Sequence, residues 1–156
     1  MRKIGFVLAF FSTIFLACTS SPVEADGGLK VVSGSSFGFC LGYCMQEMRL
    51  TDASQNIEME FFNVRDAKSK SYTDQLNKDD WEEILAEVDL DTFFKLNSVY
   101  GCPDCADGGA EYIEISSGVK NHRVTFEYGH EVEGIEKLIT LLREQRLAFA
   151  EKHLPQ

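Results

Sequence analysis

Positive charge is in short supply in this 156-residue chain: 15 Lys and Arg stand against 25 Asp and Glu, a formal net charge of −10. No Lys/Arg cluster stands out as a local exception. So acidic a surface repels nucleic acid and anionic lipid headgroups, which removes both from the expected partners. Long apolar runs are equally scarce, and none beyond residue 17 is long enough to span a bilayer. Internal repeats are absent. Catalytic signatures lack their companions. His130-Glu131 has no second His to complete a zinc-protease motif. Ser117-Gly118-Val119-Lys120 fits S-x-x-K without an S-D-N or K-T-G partner. Gly34-Ser35-Ser36-Phe37-Gly38 fits G-x-S-x-G, but cysteines and a strand follow where that motif needs a helix. The chain is also too short for the hydrolase fold around such an elbow, so Ser36 is read as non-catalytic.

What is present begins with an address. Met1-Arg2-Lys3 is basic, and Ile4 to Ala17 carries no charge. A helix of that length spans roughly 21 Å against a hydrocarbon core of ~30 Å. A basic start followed by a short apolar stretch is a secretory signal, assigned here to 1–17. Phe15-Leu16-Ala17-Cys18 resembles the lipobox of bacterial lipoproteins, with Phe15 where Leu is usual, and the resemblance implies an acylated Cys18 as the mature N-terminus. The competing reading is ordinary cleavage after Val23-Glu24-Ala25, giving a soluble periplasmic or secreted protein. Residues 18–28, with their small and polar TSSPVEADGG, read as the lipidated Cys and a flexible tether of roughly 17–19 Å. Without Arg2 and Lys3 the 15 basic residues become 13 against 25 acidic, a net of −12 over 139 residues (156 less 17). That length implies one domain, placed at 29–152.

Within it the periodicity changes along the chain. Lys30 to Phe39, Met45 to Thr51, Ile57 to Val64 and Lys70 to Leu76 read as strands, with Met48/Leu50 and Ile57/Met59/Phe61 forming apolar faces of period two. Asn77 is a good N-cap, and Trp81, Ile84, Leu85 and Val88 share one face of a helix over 78–88. Asp91 is placed to cap a short second piece carrying Phe93, Phe94 and Leu96. Asn97 to Gly109 reads as a loop, Ala110–Ser116 and His122–Tyr128 as a hairpin, and 132–150 as a closing helix. His122 is expected to be a satisfied core or edge histidine. The order implies an α+β, two-layer sandwich: one antiparallel sheet of about six strands with two main helices on one face.

Apart from Cys18, the cysteines fall into two spaced pairs, Cys40-x3-Cys44 and Cys102-x2-Cys105. In an exported chain an even, paired set reads as disulfides. Three connectivities are open, and the two local pairs are preferred. Local bridges contribute about 2 kcal/mol each in the chain-entropy picture, against nearer ~4 for bridges between the clusters. Cys-Pro-x-Cys also resembles a zinc knuckle, with Ala106 where Gly often follows, but an oxidising address opposes a four-thiolate site. A thiol-exchange site at Cys102 and Cys105 is a further alternative, although no thioredoxin-like βαβ unit precedes it. Asp104, Asp107 and Glu111 around Gly108-Gly109 offer oxygen ligands for calcium without the spacing of an EF-hand.

Phe37-Gly38-Phe39-Cys40-Leu41-Gly42-Tyr43-Cys44, followed by an alternating strand, resembles the opening of an uncharacterised bacterial family of small secreted or lipid-anchored proteins that begin with Gly-x-Cys-x-Gly-x-Cys. The likeness extends from about Lys30 to the last helix. Met45-Gln46-Glu47 stand where that family has Pro and then an aromatic, and the Cys102/Cys105 pair is an addition. The resemblance implies fold and address and lends no catalytic residue. The expectation is a cell-envelope protein with no cofactor and no enzymatic activity. Its membrane contact is the lipid on Cys18, and an envelope protein or ligand is its partner. The alternative is thiol-redox or metal chemistry at Cys102 and Cys105.

Overall fold

The computed structural model describes residues 28–51 and 56–154. The expected signal peptide, Cys18, most of the tether, residues 52–55 and Pro155 lie outside the described residues. The elements follow in the order β1 (Lys30–Ser36), β2 (Met45–Thr51), β3 (Asn56–Asn63), β4 (Lys68–Gln75), α1 (Lys78–Ala86), α2 (Leu90–Phe93), β5 (Val99–Tyr100), β6 (Ala110–Ser117), β7 (Lys120–Glu127) and α3 (Glu136–His153). The chain is α+β. Among the described residues, no helix is long and apolar enough to cross a membrane.

The strands form one sheet in the order β4-β3-β2-β1-β6-β7-β5. Hairpin neighbours and the β1–β6 pair are antiparallel. The sheet is therefore larger than the six strands expected, and it is mixed: β5 runs parallel to β7, with Val99 opposite Thr125. Two residues inside a loop carry no periodicity, so β5 was invisible to pattern. Its direction follows from α1 and α2, which carry the chain from the end of β4 to the start of β7.

Alternation sorts the sheet into two faces. Val31, Met48, Leu50, Ile57, Met59, Phe61, Ile113, Ile115, Val124 and Phe126 point to one side and share a core with Trp81, Ile84, Phe93, Leu138, Ile139, Leu142 and Phe149 of the helices. Each of the larger side chains buried there stabilises the fold by roughly 1.5–3 kcal/mol. Central strand β1 contributes only Val31, Ser33 and Ser35 to this face. Its small side chains let α3 pack directly against it.

The helix termini refine the sequence reading. Asn77 caps α1 as expected, accepting from the Asp79 amide at 3.0 Å. The cap of α2 is Asp89, not Asp91: its carboxylate accepts from the Asp91 and Thr92 amides and from the Thr92 hydroxyl. Asp91 lies two residues past the cap, within the first turn, where it complements the helix dipole instead. The closing helix starts at Glu136 and not at 132, because Gly134 adopts φ 90° in the turn before it. Val132 and Ile135 are buried from that turn and mimic a helical stripe. His122 is half-buried, its Nε2 3.0 Å from the Leu96 carbonyl and its ring against Phe93.

Candidate functional site

Both cysteine pairs close locally. Cys40 meets Cys44 with Cα atoms 5.8 Å apart, and Cys102 meets Cys105 at 5.5 Å. The loops they close lie at the same end of the sheet, because β1 leads into residues 37–44 and β5 leads into 101–109 while β1 and β6 are neighbours. Lys30, where the tether joins, lies at the opposite end, beside Thr51 and Ser116.

The 37–44 loop is held by the Phe37 amide donating to the Cys44 carbonyl at 3.1 Å, by the bridge, and by Gly42 at φ 89°. Cys44 is buried beneath it. The outcome is that two large apolar side chains stand in water: Phe39 is 74% exposed and Leu41 81%. The adjoining β3–β4 turn adds exposed Val64 and Arg65, and the start of β4 adds exposed Lys68 and Lys70. The Arg65 guanidinium lies 6.0 Å from the Phe39 ring centroid, and the Lys70 ammonium 5.1 Å from that of Tyr43. This corrects the reading that no Lys/Arg cluster exists. Three cations within six residues were visible in the sequence. Only pairing of β1, β2, β3 and β4 sets two of them, Arg65 and Lys70, beside aromatic rings. On the helix side a groove runs between this loop and α3, lined by Leu41, Tyr43, Gln46, Leu147, Ala150 and Leu154. Gln46 Oε1 is buried there without a hydrogen-bond partner.

The 101–109 loop touches the first. The Gly38 amide donates to Asp104 Oδ1 at 3.3 Å, and the Phe37 ring lies 4.7 Å from that of Tyr128. A side chain on Gly109 would overlap the Phe37 ring. Conformationally this loop is unusual. Asp104, Ala106 and Asp107 have φ of 60°, 53° and 59°. The left-handed region costs an L-residue roughly 1–2 kcal/mol. The Cys102–Cys105 bridge helps hold it so, together with the Asp104 amide donating to the Gly109 carbonyl and the Cys102 amide to Glu127 Oε1 at 2.7 Å. Both Cys102 and Cys105 are exposed.

Glu111, weighed with Asp104 and Asp107 as a calcium ligand, turns the other way. It is 2% exposed beneath α3 and accepts from Arg143 Nη2 at 2.7 Å, from Arg146 and from the Gly129 amide at 3.0 Å. Asp104 stays outside, bonded to Gly38. Among the described residues no three His, Cys, Asp or Glu side chains are placed to hold a metal ion. Hydrogen bonds from Arg143 to Glu111 raise that guanidinium's pKa, whereas burial lowers Arg146's against the same carboxylate. Both arginines remain charged at neutral pH.

The face of the sheet away from the helices carries a second polar group. Tyr112 crosses the bare Cα of Gly34, its hydroxyl donates to Glu47, and Arg123 lies 4.1 Å above its ring. Arg49 pairs with Glu47 and Glu60. The cleft among them, about 180 Å³, is below the ~300 Å³ at which ligand pockets begin. Its charges are occupied with one another. Ser36 ends β1 and leads into the bridged loop, without the helix a nucleophile elbow needs. No family model matches the chain, and no curated protein matches it.

Proposed function

We propose that this protein is a cell-envelope lipoprotein, exported by residues 1–17 and anchored through lipid on Cys18, whose domain binds a partner and performs no catalysis. Its binding surface is the end of the sheet that carries the 37–44 loop. The observation behind this reading is the exposure of Phe39 and Leu41 on a loop closed by a disulfide. A bridge that stiffens a loop lowers the entropy lost when the loop docks. An exposed aromatic ring, Phe39, beside Arg65 matches the composition of interface anchors. The lipid on Cys18 lies beyond Lys30, so the tether enters the domain at the end remote from this surface.

The test is site-specific photocrosslinking in the native envelope. A crosslinker replacing Phe39 should give a discrete adduct. One replacing Val119, equally apolar and 96% exposed but on the remote hairpin, should give none. Equal labelling from both positions, or none from Phe39, overturns the reading. A second reading, thiol exchange at Cys102 and Cys105, is favoured by the exposure of both residues. It requires the purified domain to turn over a disulfide substrate and to lose that activity on Cys102→Ser.

A further inference from the structure

We propose that the Cys102–Cys105 bridge is a redox-sensitive clasp on the binding loop, an inference that rests on the 37–44 loop being the binding surface. The two bridges differ in access. Cys44 is 5% exposed and Cys40 half-buried, whereas Cys102 and Cys105 both face solvent. Thiol–disulfide exchange requires an attacking thiolate to reach a bridge sulfur, so a dithiol reductant meets Cys102–Cys105 first. One thiolate of the reductant attacks a bridge sulfur. The Cys102–Cys105 bond breaks, a mixed disulfide forms, and the other cysteine leaves as thiolate and takes a proton. The reductant's second thiolate then attacks its own sulfur in the mixed disulfide and releases the remaining cysteine, which is protonated. Two electrons and two protons have passed to Cys102 and Cys105, and the dithiol has become a disulfide.

The consequence follows from backbone geometry. With the bridge open, Asp104, Ala106 and Asp107 lose a constraint that keeps them at positive φ. As they relax toward negative φ, the Asp104 carboxylate swings from the Gly38 amide, and Gly109 no longer presents its bare Cα to Phe37. The loop carrying Phe39 and Leu41 keeps its own bridge and its place between β1 and β2 but loses these two contacts with the 101–109 loop. Reduction thereby loosens the binding loop on the side that faces 101–109.

The experiment is amide hydrogen exchange on the mature protein, before and after limited dithiothreitol, with alkylation and peptide mapping of each thiol. The expected result is alkylation of Cys102 and Cys105 alone, with exchange across 37–44 faster by about fivefold, the scale of one or two lost hydrogen bonds. Asp104→Ala should reproduce the faster exchange with both bridges intact, which separates the clasp from any general damage by the reductant. Alkylation of Cys40 and Cys44 first overturns the proposal, as does opening of Cys102–Cys105 with no change in 37–44. These readouts need no partner. The clasp therefore stands or falls separately from the crosslinking result at Phe39.

Discussion

The two faces of this sheet use the same chemistry, arginine against glutamate, under opposite conditions. On the helix-covered face Glu111 and Arg146 are 2% and 1% exposed. On the open face Arg49, Glu47 and Glu60 each keep roughly a third of their side chains in water. The difference teaches where charge matters to this fold. A buried pair contributes little as a pair and costs a great deal when broken, because the survivor is left charged without solvent. An exposed pair is screened and contributes little either way.

The largest test of this contrast is Glu111→Gln, which leaves Arg146 buried opposite a neutral amide. It should lower unfolding stability by about 3–5 kcal/mol, read from the urea midpoint. Next comes Tyr112, on the open face but itself half-buried. Burial, and then its hydrogen bond to Glu47, raise its pKa well above the ordinary phenol value of 10.0. As pH climbs past that value the unfolded phenol ionises and the folded one does not, so the unfolded state binds fewer protons and stability falls. Wild type should therefore lose up to about 1.4 kcal/mol more per pH unit above ~10 than Tyr112→Phe does. Parallel alkaline profiles would mean that the hydroxyl is not held. The smallest effect is expected for Arg49→Gln, within about 1 kcal/mol and shrinking in high salt. A loss there as large as that of Glu111→Gln would erase the distinction between the faces.

Much of the fold was legible because local pattern and burial agree. Met48/Leu50 and Ile57/Met59/Phe61 alternate and are buried. Asn77 announces α1, and Trp81 and Ile84 set its inner face. The local cysteine pairing was also the preferred reading of the spacing. The failures have one cause: a short-range signal with a long-range determinant. β5 exists because the edge of β7 is free to receive it. Val132 and Ile135 look helical because a turn buries them. The site was less legible still. Phe39 and Leu41 flank a cysteine in an apolar stretch, a pattern that reads as core, yet both stand in solvent. The contact between Gly38 and Asp104 joins residues 66 apart, and nothing near either one signals it.

The outermost strands have a consequence for self-association. β4 is polar and largely exposed along its length, with Lys68 and Lys70 near its start, and the opposite margin is formed by β5, only two residues long. An open sheet normally offers its margins as templates for another chain. Here charged side chains on β4 blunt one margin, and β5 leaves only a two-residue strand at the other. Molecules crowded side by side on a surface would then stay separate without any cap over their sheets.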